Sequence, residues 1–214
     1  MDVFSSPNWK VCLIIDPELY PELNLLQVVE DAIAGGISLV QLRLKKSSTK
    51  KFYQVATGIA THLRSSPLPL IINDRVDIAL ACNAAGVHLG QDDLPLAVAR
   101  QLLGSSKIIG ISVNNPDEAR RAEEGGADYL GVGPIFPTSS KENLRPLLGI
   151  EGLKKVRKMT SLPLLAIGGI TPENMGAVRQ AGANGVAVIS GILGAKDIKA
   201  QIKKFTHTHP LPKE

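Results

Sequence analysis

Two cations and an amide alternate at the end of one apolar run of the sequence. Gln41, Arg43 and Lys45 occupy every second position of this run. Because successive side chains of a strand point to opposite faces, all three are expected on the same face. Buried cations are costly unless they are compensated. The pattern therefore predicts either side chains that reach solvent at the rim or a clamp for a phosphate or pyrophosphate, to which arginine binds in a bidentate manner.

Acidic residues follow the next two apolar runs of the chain. Asp74 comes directly after Leu70–Asn73, and Asp93 lies just beyond Gly86–Gly90. One interpretation is that Asn73, Asp74 or Asp93 simply caps the helix that follows. The other is that adjacent strand ends bring the two carboxylates together beside the cations. Few protein oxygens next to phosphate ligands are typical of a Mg²⁺ site, where substrate oxygens complete the octahedron.

The second half of the sequence carries glycine-rich turns instead of charges. Gly168 and Gly169 follow one apolar run, and Ser190 and Gly191 follow the next. Glycine lets a backbone approach an anion closely, and the last two strand ends are where α/β barrels bind phosphate. The sequence thus predicts two anion sites, one cationic and metal-dependent and one built from backbone. Two sites fit two phosphorylated substrates, or one long one.

A long segment, Gly131–Lys141, joins these regions. It ends in hydroxyl side chains and a lysine, namely Thr138, Ser139, Ser140 and Lys141. It is either an ordinary surface loop or a lid whose hydroxyls bind a ligand while Lys141 reaches a phosphate.

The elements that would position these residues alternate regularly. Eight short β-branched runs are predicted strands: Val11–Ile15, Leu39–Arg43, Leu70–Asn73, Gly86–Gly90, Ile108–Val113, Tyr129–Gly133, Leu164–Gly168 and Gly185–Ser190. Amphipathic stretches between them are predicted helices, among them Leu23–Ala34, Lys50–Arg64, Leu96–Leu103, Pro116–Gly125 and Pro172–Ala181. Eight strand–helix units predict an α/β fold of the (β/α)8 TIM-barrel type rather than an open sheet. We expect one domain over residues 1–214, with short flexible termini at about 1–8 and 206–214.

The junctions have the residues that helix ends require. Ala34–Ile37, Gly125–Asp128 and Ala181–Asn184 each contain glycine where a left-handed C-cap is expected. Asn115 and Thr171 each precede a proline, which predicts a side-chain N-cap with proline at the first helical position.

The composition restricts the class of partner. The chain has 214 residues, of which 44% are hydrophobic, 21% charged and 4% aromatic, with a net charge of +4. Scarce aromatics and the lack of a long basic run argue against a nucleic-acid partner. No run approaches the ~18 apolar residues of a membrane span, and Met1–Lys10 lacks the apolar core of a signal peptide. We expect a cytoplasmic enzyme that acts on small phosphorylated molecules.

The cysteines and histidines do not predict further chemistry. Cys12 and Cys82 lie in apolar runs and are expected to be buried thiols in a reducing compartment. His88 lies within a predicted strand and is expected to be a hydrogen-bonded interior residue. His207 and His209 lie near the C-terminus and are expected to be solvated, with no third ligand for a metal nearby.

In this order, the strand-end segments resemble those of the thiamine-phosphate synthase family, over about Val11 to Ile198. The segments that carry the resemblance are Gln41–Lys45, Ile72–Asp77, Gly86–Asp93, Gly110–Ser112, Gly131–Lys141, Ala166–Ile170 and Val188–Ser190. Such enzymes join a hydroxymethylpyrimidine diphosphate to a thiazole phosphate and release pyrophosphate. The resemblance thus implies a transferase of thiamine biosynthesis that uses Mg²⁺.

The resemblance also implies roles for individual residues. The expected substrate-binding residues are Gln41, Leu42, Arg43, Leu44, Lys45, Asn73, Ser112, Thr138, Ser139, Ser140, Lys141, Gly169, Ile189 and Ser190. Within this set, Arg43, Lys45, Lys141 and Ser112 are the expected catalytic residues. Asp74 and Asp93 would bind Mg²⁺. Gly169, Ile189 and Ser190 would offer main-chain contacts to the thiazole phosphate. A homo-oligomer is possible.

Four positions depart from the family pattern. They are Lys46, where an acidic residue is common; Asn114, where histidine is common; Ser140, where threonine is usual; and the strand end at Asp16, which lacks the usual preceding threonine. Two rival functions use the same barrel. One is a thiazole tautomerase, and the other is a regulatory barrel that binds a thiamine precursor. Both are disfavoured by the retention of the residues for a metal and a diphosphate, since neither function needs to release pyrophosphate. These residues are Arg43, Asp74, Asp93 and Lys141.

Overall fold

The structure is a computed structural model that describes residues 9–138 and 145–207. Eight parallel strands form a closed barrel in chain order. They are β1 (Val11–Ile15), β2 (Leu39–Leu42), β3 (Leu70–Asn73), β4 (Gly86–Leu89), β5 (Ile108–Val113), β6 (Tyr129–Val132), β7 (Leu164–Ile167) and β8 (Gly185–Val188). The TIM barrel predicted from the alternation is confirmed.

Helices follow the strands and surround the barrel. They are α1 (Leu25–Gly35), α2 (Thr49–His62), α3 (Val76–Ala81), α4 (Leu96–Leu103), α5 (Pro116–Glu124), α6 (Gly149–Met159), α7 (Met175–Gln180), α8 (Ser190–Leu193) and α9 (Ile198–Thr206). The final helix packs on the first, and the Thr206 hydroxyl donates to the Gly35 carbonyl oxygen at 2.7 Å. This contact joins helix α9 to the C-terminal end of α1.

All eight strands are buried, as parallel strands covered on both faces require. Each of the predicted strands is present, but five of them end one or two residues before the predicted end. The chain leaves the ladder there to form the loops of the rim. At β7, for example, Gly168 has a φ of +100° and no longer continues a strand.

The predicted helix ends are mostly correct. Gly36, Gly126 and Gly182 have positive φ values at the three glycine-containing junctions. The Asn115 side chain caps α5 by accepting from the Glu118 N–H at 2.9 Å.

The N-cap predicted at Thr171 is wrong. Helix α7 begins at Met175 rather than at Pro172, and it has no side-chain cap. The Thr171 N–H instead donates to Asn174 Oδ1 at 2.9 Å, which closes a turn before the helix.

Candidate active site at the carboxyl ends of the strands

A large cavity opens where the strands end. Because the strands of the closed barrel are parallel, their carboxyl ends lie on one rim. The cavity has a volume of about 1230 Å³, and its walls come from the loops after β1 to β8. Ligand sites of α/β barrels lie at this rim, so this cavity is the candidate active site.

Arg43, after β2, is held by a carboxylate that the sequence analysis did not propose as a ligand. Asp16 follows β1, is fully buried, and forms an ion pair with the Arg43 guanidinium. Its other oxygen accepts from the backbone N–H of Glu18 at 3.1 Å and of Leu19 at 3.3 Å. Because both of its oxygens have partners, Asp16 is held in place, and it fixes the direction of the Arg43 guanidinium at the cavity wall.

The backbone next to Lys45 is fixed by a second carboxylate from the β1–α1 loop. Glu18 accepts from the Lys45 N–H at 2.8 Å, the Lys46 N–H at 3.0 Å and the Ser47 hydroxyl at 2.7 Å. Burial alone would raise the pKa of Glu18, but these hydrogen bonds outweigh it and lower the pKa. The carboxylate is therefore charged at neutral pH and holds the start of the β2–α2 loop.

Asp74 and Asp93 converge at this rim, as the sequence analysis expected. Both carboxyl groups line the cavity and interact electrostatically with each other, and Asp74 also pairs with the Lys45 ammonium. Burial and the nearby Asp93 raise the pKa of Asp74 to about 6, although Lys45 opposes the shift. Asp74 has a φ of +64°, a value that is uncommon for a residue other than glycine.

Neither carboxylate caps a helix. The residue before α3 is Arg75 and the residue before α4 is Pro95, and neither helix has a side-chain cap. Asp93 accepts from the Gly90 N–H at 2.6 Å instead. Residues 9–138 and 145–207 contain no group of three or more acidic, histidine or cysteine side chains that could hold a metal. Any ion at Asp74 and Asp93 would therefore need further ligands from substrate or water.

Asn73 is a polar residue of the cavity whose hydrogen bonding is incomplete. Its side chain lies at the cavity and is 8% exposed, and its amide nitrogen Nδ2 has no hydrogen-bond partner. A buried donor without an acceptor costs about 1–3 kcal/mol. The amide is therefore suited to an acceptor oxygen that a ligand brings.

A buried polar chain leads from the barrel interior to the cavity. His88 lies between the Tyr129 hydroxyl, at 2.9 Å from Nδ1, and the Ser112 hydroxyl, at 2.8 Å from Nε2. Gln41 lies with them around a small cavity in the barrel interior. The prediction that His88 is an interior hydrogen-bonded residue is confirmed, and it orients the Ser112 hydroxyl that lines the cavity.

The opposite wall is formed by backbone. Gly168 and Gly169 have φ values of +100° and +60°. A Cβ on Gly169 would lie 2.4 Å from the Pro137 carbonyl oxygen, so no side chain fits there. The Asn174 side chain fixes this turn by donating to the Gly169 carbonyl oxygen at 2.9 Å. Ile189 and Ser190 continue the same wall after β8.

Thr138, in the described part of the segment after β6, lines the cavity. Ser139, Ser140 and Lys141 lie outside the described residues. Where the chain continues at Arg145, the guanidinium binds Glu118 through two hydrogen bonds, of 2.9 and 2.6 Å. Nothing in the sequence pattern had predicted this pair.

The remaining predicted ligands lie away from the cavity wall. Leu42 and Leu44 are buried in the hydrophobic core, and Gln41 lies below the cavity beside His88. The missed residues Asp16, Glu18 and Arg145 share one property, because each acts on a partner far away in sequence. Alternation along a strand indicates the face of a residue but not its partner, so the sequence carried little signal for them.

Among the helices that the structure describes, none is both long enough and apolar enough to cross a bilayer.

Comparison with known proteins identifies the family of the chain. The family model described as thiamine monophosphate synthase matches residues 11–192. The thiamine-phosphate synthase of Syntrophomonas wolfei is 49% identical over 94% of this chain and 96% of its own length. That of Clostridium botulinum strain Hall is 49% identical over 90% of this chain and 94% of its own. A solved thiamine phosphate pyrophosphorylase from Pyrococcus furiosus superposes with a TM-score of 0.84 at 36% identity, covering 94% of this chain and 95% of that one. The chain therefore belongs to the thiamine-phosphate synthase family.

Proposed function

We propose that this enzyme joins 4-amino-2-methyl-5-hydroxymethylpyrimidine diphosphate to a thiazole phosphate, giving thiamine phosphate and pyrophosphate. The observation that carries the proposal is the set of groups on one wall of the cavity. Two cations, two adjacent carboxylates and the unsatisfied Asn73 amide face the same space. Such a set suits a diphosphate with its metal, and the likeness to thiamine-phosphate synthases names the substrates.

The chemistry requires stabilisation of a leaving anion. Pyrophosphate departs from a methylene on an electron-rich aminopyrimidine, and the ring delocalises the positive charge that remains. Arg43 and Lys45 would stabilise the departing pyrophosphate from this wall, with Lys141 contributing from the β6–α6 segment. A well-placed donor of this kind contributes about 3 kcal/mol to transition-state stabilisation.

Asp74 and Asp93 fit Mg²⁺ as the metal of this reaction. Mg²⁺ prefers hard oxygen ligands and usually binds through one or two carboxylates together with substrate phosphate and water. The pair provides such oxygens at the cavity wall, next to the cations that would bind the diphosphate. Mg²⁺ bound there would neutralise charge on the pyrophosphate as it leaves.

The second substrate needs mainly to be positioned, since the thiazole nitrogen is already a nucleophile. The turn at Gly168 and Gly169 and the backbone at Ile189 and Ser190 suit the thiazole phosphate, with Thr138, Ser139 and Ser140 near the ring. Ser112 would contact the pyrimidine, with its hydroxyl oriented by His88. Gln41 would support this side through Tyr129.

A pyrophosphate-release assay with purified protein tests the proposal. We expect release only when Mg²⁺ and both substrates are present, together with thiamine phosphate detected by chromatography. Omitting either substrate is the control for simple hydrolysis. A protein that makes no thiamine phosphate but isomerises the thiazole substrate would be a tautomerase, and the proposal would be wrong.

Four expectations stay predictions from the sequence. They are that the chain forms one domain, that it is cytoplasmic, that it forms a homo-oligomer and that it binds no nucleic acid. Size-exclusion chromatography with light scattering would measure the oligomeric state directly.

A further inference from the structure

Arg43 and Lys45 are two residues apart, yet they pair with carboxylates of different kinds. Arg43 pairs with Asp16, which is fully buried and already accepts two backbone N–H groups. Lys45 pairs with Asp74, whose side chain is 16% exposed at the cavity that Asp93 also lines. The partner of Arg43 is thus a structural carboxylate, whereas the partner of Lys45 belongs to the metal pair.

Two adjacent carboxylates repel each other unless a positive charge lies between or beside them. The Lys45 ammonium supplies such a charge at Asp74. A divalent ion bound at Asp74 would repel the ammonium that pairs with the same carboxylate. Metal binding there is therefore expected to displace Lys45.

The local structure lets Lys45 move without disturbing its loop. Glu18 holds the backbone at Lys45 and Lys46 and the hydroxyl of Ser47. The Lys45 side chain is 45% exposed, so its ammonium group has room to move while the backbone at Lys45 stays in place. Its four-carbon chain is flexible, in contrast to the planar, bidentate arginine.

We propose that Lys45 serves as an exchangeable counter-ion, which neutralises the Asp74–Asp93 pair in the absence of metal and transfers to the diphosphate when the metal enters. This inference rests on the proposed function, because it assigns the metal to that pair and the diphosphate to the neighbouring cations. The consequence is that metal and diphosphate bind cooperatively. Each ligand binds more weakly alone, since Lys45 must first be displaced or withdrawn from Asp74.

The exchange predicts effects of opposite sign in one variant. In Lys45→Met, we expect Mn²⁺ alone to bind about fivefold to tenfold more tightly, because a unit positive charge beside its ligand is gone. With Mn²⁺ saturating, we expect pyrophosphate to bind at least tenfold more weakly, because it has lost a cation. A lysine that only bound phosphate would leave the affinity for Mn²⁺ unchanged, and a structural lysine would weaken both ligands.

Electron paramagnetic resonance of free Mn²⁺ measures the first affinity without any turnover. Isothermal titration with pyrophosphate, with and without saturating Mn²⁺, measures the second. Lys46→Met is the matched control, since it removes the same charge from the next residue, and its affinity for Mn²⁺ should change less than twofold. Circular dichroism checks folding, and Lys45→Gln provides a second variant that keeps a polar side chain.

The inference is overturned if Lys45→Met and Lys45→Gln bind Mn²⁺ with the affinity of the unmodified enzyme, or more weakly. This outcome is separate from failure of the proposed function. If the unmodified enzyme makes thiamine phosphate but the Lys45 variants show no gain in Mn²⁺ affinity, only the exchange is refuted. If the Lys45 variants bind Mn²⁺ more tightly but the unmodified protein makes no thiamine phosphate, only the assigned reaction is refuted.

Discussion

The two walls of the cavity bind anions by different physical means. The wall after β1 to β4 carries charged side chains, which form ion pairs with one another. The wall after β7 and β8 consists of backbone, with Gly168 and Gly169 in conformations that side chains rarely adopt. The first wall therefore has a charge that ligands can redistribute, while the second has a shape that is fixed before any ligand binds.

This difference fits the two proposed substrates. A leaving pyrophosphate changes its charge during the reaction, so mobile counter-charges and a metal suit it. A thiazole phosphate keeps its phosphate throughout, so a fixed backbone cradle is sufficient to orient it. Substitutions should accordingly damage the first wall through charge and the second through shape.

The largest effect is expected from Asp93→Ala on the charged wall. Removing one carboxylate should lower kcat/KM about 10³-fold, since metal and leaving group both lose stabilisation. Folding should stay intact, because Asp93 caps no helix. Pyrophosphate release measures the first expectation and circular dichroism the second. Loss of the folded signal would instead assign Asp93 a structural role through its bond to Gly90.

On the backbone wall, Gly169→Ala should lower kcat/KM about 100-fold, mainly by raising KM for the thiazole phosphate. The added Cβ would lie 2.4 Å from the Pro137 carbonyl oxygen at a φ of +60°, so the turn must shift. Even small displacements of a positioning group can cost about 100-fold. Initial rates at varied thiazole phosphate measure this.

Gly176→Ala in α7 is the matched control, since a Cβ there meets nothing within 4 Å. It should leave both kinetic constants unchanged. If both glycine variants were equally active, the fixed shape of this wall would not matter for binding.

The sequence predicts the barrel and the positions of the charged residues well, because both depend on local periodicity. The pattern of Gln41, Arg43 and Lys45 indicates one face of β2, and strand order alone brings Asp74 towards Asp93. The partners of these groups were not predictable, since Asp16 meets Arg43 only after two strands have paired. Helix α7 was predicted too early because the Thr171-Pro172 signal is equally compatible with the turn that Asn174 closes.

A smaller effect is expected at Asp16, the buried carboxylate that pairs with Arg43 of the charged wall. Asp16→Asn keeps the shape of the side chain and removes its charge, so Arg43 loses its fixed partner. We expect kcat/KM to fall about tenfold, with most of the loss in binding of the pyrimidine diphosphate. Breaking a buried pair also costs about 3–5 kcal/mol of stability. Urea unfolding measures that loss, and unchanged stability would show that Arg43 needs no fixed partner.

The smallest effect concerns Glu118 and Arg145, a charged pair that joins the chain at Arg145 to helix α5. The Glu118 side chain is 6% exposed, while that of Arg145 is 43% exposed. Burial alone would raise the pKa of Glu118, but hydrogen bonds from Arg145 and the Asn114 N–H outweigh it and lower the pKa. A lowered pKa means that the pair stabilises the fold above about pH 4.5 and loses this contribution as pH falls through the folded-state pKa.

Arg145→Met should therefore lower stability by about 1 kcal/mol at pH 7, a value reduced by solvent screening of the exposed guanidinium. The difference from the unmodified protein should shrink as the pH falls below 4.5. Melting temperatures of both proteins between pH 3 and 8 measure this, with Arg145→Met in a Glu118→Gln background as the control. In that background the arginine substitution should cost little at any pH. A constant difference in melting temperature across the whole pH range would mean that Arg145 stabilises the fold by packing and that its charge has no part in this.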